Sequence, residues 1–415
     1  MPPLPVGRHV LAELTGVDPA VLDDVETLRR ALTETLVAAG ATVRTVVAEK
    51  FAPQGATLLA LLAESHASVH TWPEHGAAHV DVFTCGAHAD PALAVRLLAE
   101  ALGATGTRLE VVARGGGART VTEPIGPGLV RRWDLGRVRY RATTPYQRVL
   151  IADTAHGVTL FCDDERQSAA ATQLAYHEAL FVPAVLLAER CARVLVIGSS
   201  EGVVSELAVG SGAHRVDHVD IDPDCVRACA QHLPYGYTPD ALAAAERHEG
   251  PVHLHYGDGR QWVERTGDRY DIIVVDLPDE RPGEPAAQLN RLYAADFLGR
   301  CKDRLAPGGV LVSQAGNPAL WRSETLRAAW RRFHDVFGAN GVVYLGSDEH
   351  EWSFLFGCAR PWPDPVAAMR TRLDALPVRP VYLDALTLES RTVPPISIRE
   401  DRFLAIDPFR HDRPE

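Results

Sequence analysis

The first hundred residues carry apolar positions at both helical and strand spacing. An apolar stripe with the period of a helix runs over residues 24–39 and ends at Gly40. Strict alternation at 42–47 and 78–84 predicts two strands, and the pattern at 91–102 predicts a second helix. These elements predict a small α+β domain at the start of the chain.

The hydrophobic pattern changes further along the chain. Short alternating segments at 138–141, 147–152 and 158–161 predict a small antiparallel sheet. From about residue 190 the apolar runs are nearly continuous, at 193–198, 215–220, 270–276 and 309–313. Runs of this kind are typical of a parallel sheet covered on both faces, so they predict a doubly wound, Rossmann-like α/β domain with its ligand at the carboxyl ends of the strands.

Glycine and proline clusters at 114–117 and 124–128 indicate a connection between the two patterns. The predicted division of the chain is a first domain at 1–116, a linker at 117–130, a β-subdomain at 131–185, a Rossmann-like domain at 186–400 and a tail at 401–415.

Composition narrows the class of protein. The chain has 415 residues, of which 46% are hydrophobic and 23% charged, so it resembles a soluble protein of two or three domains. It has no long apolar run and no signal segment, which predicts a cytoplasmic location. Seven cysteines without a C-x-x-C pair argue against a disulfide framework and against a zinc site. The net charge of −12 disfavours a nucleic-acid partner and suits a cationic substrate.

Residues 64–74 read E-S-H-A-S-V-H-T-W-P-E and place a serine directly after a glutamate. Ser65 can attack the carbonyl of Glu64, convert the peptide bond to an ester, and lose that ester by β-elimination, which leaves a pyruvoyl group on the new N-terminus. Such a ketone forms a Schiff base with a substrate amine and accepts the electrons released by a departing carboxylate. The segment therefore predicts a cofactor that the chain makes for itself.

This segment, in order with residues 7–14, 50–55 and 80–86, resembles the bacterial and archaeal S-adenosylmethionine decarboxylases, and the similarity covers residues 8–115. The resemblance implies four roles: cleavage between Glu64 and Ser65, a pyruvoyl group from Ser65, assistance of processing by His70, and reprotonation of the substrate carbon by Cys85.

Two simpler interpretations stand beside these roles. His66 and His70 have the spacing of metal ligands on a helix, but Thr71, Trp72 and Pro73 interrupt any helix there, so no metal is expected. A cysteine such as Cys85 at the end of an alternating run is, by itself, more often a small buried hydrophobe. The motif as a whole favours the chemical roles.

Acidic residues follow the predicted parallel strands of the second half. The loop Gly198–Gly202 comes after the first strand, Asp220 closes the second, and Asp258 with Gly259 precedes a helix. An acidic residue at the end of the second strand suits ribose hydroxyls, so the set predicts an adenosyl ligand, although any single Asp could instead cap a helix.

Further motifs at 144–148, 163–168, 176–178, 275–279 and 307–309 resemble those of the spermidine synthases, and the similarity runs over 131–357. That family transfers an aminopropyl group from decarboxylated S-adenosylmethionine to a diamine and leaves methylthioadenosine. The resemblance implies Asp276 as base, Tyr176 and Asp279 for the acceptor, and Gln147, Gly198, Glu201, Asp220, Asp258 and Gly259 for the donor. Neutralisation of the sulfonium drives this reaction, so no metal is required.

The chain departs from that family at positions that bear on the choice of substrate. The loop reads G-S-S-E-G instead of G-G-G-D-G, and Thr172-Gln173 replace an acidic pair. We expect Asp348, Glu349 and Glu351 to bind the distal ammonium of the acceptor in place of that pair.

Both resemblances predict one fused enzyme of polyamine biosynthesis, in which S-adenosylmethionine is decarboxylated and its aminopropyl group is passed to an amine. Putrescine, giving spermidine, is the expected acceptor; the alternatives are diaminopropane, cadaverine, agmatine or spermidine, or a C-terminal half that is a sensor without catalysis. Both families commonly assemble, so a homo-oligomer is expected.

Overall fold

The computed structural model describes residues 7–85, 88–114, 120–126, 128–281, 283–284, 287–348 and 351–400. The chain divides into two compact units, Met1–Arg119 and Thr120–Glu415, each with its own hydrophobic core. The predicted tail, 401–415, lies outside the described residues. Within the described ranges no helix has the length and apolar character needed to cross a membrane.

The first unit is an antiparallel sheet with helices on one face. Its elements are β1 (Gly7–Thr15), α1 (Pro19–Asp23), α2 (Val25–Ala38), β2 (Val43–Lys50), β3 (Ala56–Leu62), β4 (Ser65–Trp72), β5 (Ala77–Cys85), α3 (Pro91–Ala101) and β6 (Gly106–Arg114). The strand order is β2-β3-β4-β5-β1-β6. Both predicted helices and both predicted strands are confirmed. Alternate residues of the strands pack under α2 and α3, and the remaining ones point away from the helices.

The second unit begins with a hairpin and a small sheet. The hairpin is β7 (Thr120–Gly126) with β8 (Leu129–Asp134), and the sheet contains β9 (Val138–Thr143), β10 (Arg148–Thr154), β11 (Gly157–Cys162) and β12 (Glu165–Ala169), all antiparallel. The prediction of a linker at 117–130 is therefore wrong for its second part, because residues from Thr120 onwards form ladder hydrogen bonds.

A seven-stranded sheet follows in the order β15-β14-β13-β16-β17-β19-β18, parallel through β17 and antiparallel beyond. Its strands are β13 (Arg193–Gly198), β14 (Arg215–Asp220), β15 (Val252–Tyr256), β16 (Tyr270–Asp276), β17 (Leu305–Gln314), β18 (Val342–Gly346) and β19 (Ser353–Cys358). The helices are α4 (Gln173–Leu187), α5 (Val203–Gly210), α6 (Pro223–His232), α7 (Pro239–Glu246), α8 (Gly259–Arg265), α9 (Ala295–Asp303), α10 (Glu324–Phe337), α11 (Pro365–Leu373), α12 (Ala385–Arg391) and α13 (Ile396–Arg399).

Helices cover both faces of this sheet, as the continuous apolar runs predict. Val194 and Val196 of β13 pack into the core that includes α4, whereas Leu195 and Ile197 pack into the core that includes α9 and α10. The predicted domain start at residue 186 falls inside α4 and is wrong, because this helix belongs to the core of the large sheet.

Candidate functional site

A cavity of about 400 Å³ lies at the carboxyl ends of β13, β14 and β16 in the second unit. Its lining brings together the nine residues that the family resemblance implies for donor, acceptor and base, namely Gln147, Tyr176, Gly198, Glu201, Asp220, Asp258, Gly259, Asp276 and Asp279. Several further carboxylates line the same cavity, which suits cationic ligands.

The glycine loop brings the ends of β13 and β16 into contact. Gly198 has a φ of 81°, and a Cβ at this position would lie 2.1 Å from the Asp276 carbonyl oxygen. Ser199 has a φ of 60°, a strained conformation for a residue with a side chain. Its N–H donates to the Asp276 carbonyl at 2.9 Å. Only glycine at 198 permits this approach, so the loop fixes the backbone of Asp276.

Two acidic residues mark the end of the cavity where β14 finishes. Asp220 accepts hydrogen bonds from the Ser200 hydroxyl and the Asp222 N–H, both at 2.8 Å, and burial raises the pKa of Asp220 to about 7. Glu201 is buried, and among the described residues its carboxylate has no hydrogen-bond or ion-pair partner. A buried carboxylate left open to a cavity is suited to a cationic group of a ligand.

Other donor-side residues also hold the structure together. Asp258 caps α8 by accepting from the N–H groups of Arg260 and Gln261, and its second oxygen contacts Arg291. The Gln147 amide donates to Asp222 at 3.0 Å. A Cβ on Gly259 would lie 2.4 Å from Ile197 Cγ2, so glycine is required for the packing of α8 on β13.

The aspartates after β16 lie at the centre of the cavity. The Tyr176 hydroxyl donates to Asp276 Oδ1 at 2.7 Å, and burial raises the pKa of Asp276. Asp279 accepts from the Gln314 amide and from Arg322 at 3.4 Å, and burial raises the pKa of Asp279 as well. Two carboxylates with raised pKa values in one cavity are a common feature of catalytic sites.

The late acidic residues do not have the role expected of them. Glu351 lines the cavity but pairs with Arg166 at 2.5 Å and with Arg131, so its charge is already compensated. Asp348 pairs with Arg391 at 2.8 Å and does not line the cavity. The expectation is therefore wrong for Asp348, the two arginines weigh against it for Glu351, and Glu349 lies outside the described residues.

Glu165 is a cavity carboxylate that the motifs do not single out. It lines the cavity, burial raises its pKa, and its carboxylate has no hydrogen-bond or ion-pair partner within the part of the chain that the structure describes. The charges of Arg281 and Arg322 oppose this rise in the pKa of Glu165, and the charge of Asp279 adds to it. The only sequence signal is an acidic residue in the 163–168 segment.

In the first unit, the predicted cleavage peptide lies at the start of β4. The Glu64 carboxylate accepts the Thr42 N–H at 3.0 Å, and the Glu64 carbonyl accepts the Cys85 N–H at 3.4 Å. Ser65 is paired with Thr84 across β4 and β5. The structure thus brings Glu64, Ser65 and Cys85 together.

His70 is not part of this group within one chain. It lies five residues beyond Ser65 on β4, a separation of about 16 Å at the usual rise of a strand. Its Nδ1 lies 2.5 Å from Thr57 Oγ1, and its ring packs against Trp72 with centroids 4.2 Å apart. The assignment of His70 to processing remains a prediction.

Closer to Ser65, the structure assembles a group that the sequence does not reveal. His9, His66 and Asp81 each offer a ligand atom within 4.8 Å of the others. They come from β1, β4 and β5, so only the strand order brings them together.

Comparison with known proteins agrees with both halves of this description. Residues 8–115 match the S-adenosylmethionine decarboxylase family, and residues 173–342 match the spermine/spermidine synthase domain. Among solved structures, a spermidine synthase in complex with the transition state analogue AdoDATO superposes with a TM-score of 0.60 at 18% identity, over 69% of this chain and 96% of that one. Spermidine synthase from Thermotoga maritima has a TM-score of 0.57 at 16% identity. These two show the shared fold.

Curated relatives are more similar in sequence. Polyamine aminopropyltransferase 2 of Hyperthermus butylicus is 38% identical over 49% of this chain and 64% of its own length. Polyamine aminopropyltransferase 2 of Pseudomonas aeruginosa is 30% identical over 71% of this chain and 83% of its own length. The polyamine aminopropyltransferase of Pyrobaculum calidifontis is 31% identical over 62% of this chain and 88% of its own length.

The two family matches show a chain that joins two enzyme domains of polyamine biosynthesis, a decarboxylase of S-adenosylmethionine and an aminopropyltransferase. More particularly, the chain belongs to the polyamine aminopropyltransferase family.

Proposed function

We propose that this chain is a bifunctional enzyme. Its first unit decarboxylates S-adenosylmethionine, and its second unit transfers the aminopropyl group of the product to a diamine, with putrescine giving spermidine and methylthioadenosine. The observation that carries the proposal is the cavity of the second unit, where an unpartnered Glu201 and the Tyr176–Asp276 pair lie together. We expect it to act in the cytoplasm as a homo-oligomer.

The residues around Ser65 fit the formation of a pyruvoyl group. The scissile carbonyl of Glu64 already accepts a hydrogen bond, and the preceding side chain is held by Thr42. Once formed, the group would supply an electrophilic ketone that serves as an electron sink. Cys85 ends β5 beside the cleavage peptide, where its thiol can return a proton to the substrate carbon. His70 is the predicted assistant of processing.

Donor binding follows from the charges of the cavity. The buried Glu201 carboxylate would meet the ammonium of the aminopropyl chain, with Gln147 nearby. Without this contact, the carboxylate and the ammonium would both be buried without a partner of opposite charge. Asp220 would accept the ribose hydroxyls. Asp258 and Gly259 would border the adenine, and Gly198 gives the loop its close turn.

Transfer requires a neutral amine next to the sulfonium carbon. An alkyl amine has a pKa of about 10 and is protonated at neutral pH, so a base must take a proton before the nitrogen can attack. Asp276 accepts that proton, the new C–N bond forms, and the C–S bond breaks so that sulfur leaves as a neutral thioether. Tyr176 orients Asp276 through its 2.7 Å hydrogen bond, and Asp279 holds the incoming amine.

The distal end of the acceptor is assigned to Glu165. A diamine carries a second ammonium, and this cation is costly to bury unless it meets a carboxylate that is not already paired. Glu351 is compensated by two arginines, whereas Glu165 lines the cavity without a partner among the described residues. This difference makes Glu165 the residue that selects a diamine.

Cleavage and product analysis test the proposal. The chain of 45.1 kDa should appear as pieces of about 7 and 38 kDa on a denaturing gel, whereas Ser65→Ala should remain whole and release no carbon dioxide. Incubation with S-adenosylmethionine and a mixture of diaminopropane, putrescine, cadaverine, agmatine and spermidine, followed by mass spectrometry, identifies the acceptor. A chain that stays intact and forms no aminopropylated amine would contradict the proposal.

A further inference from the structure

The hydroxyl of Ser65 lies at one end of a row of polar side chains that crosses three strands. Ser65 Oγ lies 3.1 Å from His66 Nδ1, and His66 Nε2 lies 3.5 Å from Asp81 Oδ1. Asp81 Oδ2 lies 2.5 Å from His9 Nε2. A hydroxyl, an imidazole and a carboxylate in this order form the arrangement by which proteins activate a serine nucleophile.

Strand register explains how the two histidines and Asp81 meet, while Ser65 contacts His66 as its neighbour in sequence. Phe83 of β5 is paired with His66 on one side and with His9 on the other, and its ring lies 5.8 Å and 5.3 Å from theirs. Asp81 is two residues away on the same strand and faces the same side, so it is the diagonal neighbour of both histidines. A shift of one residue in either pairing would move a member of the group to the opposite face.

We propose that His66 is the base that activates Ser65 for self-cleavage, and that Asp81 and His9 are positioning residues that hold the imidazole. The inference rests on the proposed cleavage at Ser65. His66 takes the hydroxyl proton as Ser65 Oγ bonds to the Glu64 carbonyl carbon, and returns it to the Ser65 nitrogen as the C–N bond breaks. Transfer of the Ser65 Cα proton to water then expels the Glu64 carboxylate and leaves a dehydroalanine, and one water hydrolyses its imine tautomer to the pyruvoyl ketone and ammonia.

The backbone supports the same step. The Cys85 N–H donates to the Glu64 carbonyl oxygen at 3.4 Å, the position where negative charge develops as Ser65 Oγ attacks. His70 cannot take the proton from Ser65 in the same chain, since it lies about 16 Å further along β4. Among the described residues of one chain, base, nucleophile and oxyanion donor therefore meet around His66.

A time course of chain cleavage tests the role of His66. Full-length chain made by cell-free translation is sampled on denaturing gels, and the conversion of the 45.1 kDa chain is followed. His66→Ala should lower the rate of cleavage by about 100-fold or more, the usual cost of losing a general base. Added imidazole should restore part of the rate, which a merely misfolded variant would not show. His79→Gln, on the same sheet face, should cleave like the wild type.

Two further measurements complete the test. Asp81→Asn should slow cleavage and move its pH profile towards lower pH, because an amide supports a protonated imidazole less well than a carboxylate does.

Wild-type chain treated with a chelator should cleave normally, whereas arrest by the chelator and restoration by zinc would show a metal on His9, His66 and Asp81 and overturn the inference. So would a His66→Ala chain that cleaves within threefold of the wild-type rate, or one that imidazole does not accelerate. If the wild-type chain itself never cleaves, the proposed function fails instead.

Discussion

Asp276 combines a buried carboxylate with a phenol as its hydrogen-bond donor. Burial raises its pKa, so the proton-accepting form is lost at a higher pH than for an exposed aspartate. We expect Asp276→Asn to lower transfer from supplied donor by about 10²–10⁴-fold. In the wild type, transfer at saturating donor should fall as the pH drops through the raised pKa, and the residual rate of the variant should lack this decline.

The matching control uses the other reaction of the same chain. Release of carbon dioxide from S-adenosylmethionine by Asp276→Asn should equal that of the wild type. Transfer at the wild-type rate would show that another group is the base.

Glu165 gives a second prediction at the scale of one residue. Glu165→Gln keeps the size of the side chain but removes the charge, so the distal ammonium loses its partner and the acceptor KM should rise about tenfold or more. The donor KM should hardly change. Asp348→Asn is the matched control, since Asp348 is paired with Arg391 and does not line the cavity. Steady-state kinetics with equal acceptor KM values for all three proteins would contradict the assignment.

At the scale of elements, the parallel pairing of β13 with β16 holds Gly198 beside Asp276. Gly198→Ala places a methyl group 2.1 Å from the Asp276 carbonyl oxygen and forces a side chain into a left-handed conformation. The ends of both strands must separate to relieve this contact, and Asp276 moves with them. We expect transfer to fall by at least 100-fold, consistent with the cost of misplacing a catalytic group by about 1 Å. Gly212→Ala is the control for backbone strain alone, because Gly212 also has a positive φ, of 102°, but a Cβ there meets nothing within 4 Å.

Most elements could be predicted from sequence because their apolar pattern is unambiguous. The bounds 193–198, 215–220 and 270–276 coincide with β13, β14 and β16, since buried parallel strands are apolar on both faces. The boundary at 185 failed because α4 is buried nearly all round and shows no stripe to distinguish it from a connection. The predicted linker contains Pro124 and Gly126, which mark a bulge in the β7–β8 hairpin rather than a break.

Some residues of the candidate sites could likewise be predicted from the sequence, and others could not. Residues at strand ends, such as Asp220 and Asp276, are predictable because a doubly wound sheet gathers them at one edge. The role of Glu351 was not predictable, because its neutralisation depends on arginines 185 and 220 residues away in sequence. The group around His66 depends on the pairing of three strands, which a sequence pattern does not specify.

At the scale of the whole molecule, the two units have separate cores. We expect residues 1–119 and 120–415, expressed as separate chains, each to fold cooperatively, because each buries its own apolar residues. The second chain should transfer the aminopropyl group from supplied donor, and the first should self-cleave. Thermal unfolding followed by circular dichroism checks folding, and loss of cooperative unfolding in either chain would show that the units depend on one another.

The position of the cleavage peptide has a lasting effect on the first unit. Cleavage before β4 would leave β1, β2 and β3 on one polypeptide and β4, β5 and β6 on the other, while the sheet order β2-β3-β4-β5-β1-β6 interleaves the two. The nicked strands would stay together through ladder hydrogen bonds and a common core. If the cleaved domain unfolds, however, its two polypeptides must reassociate before it can refold. Cleavage would therefore make unfolding effectively irreversible, and the rate of unfolding would set the lifetime of the mature domain.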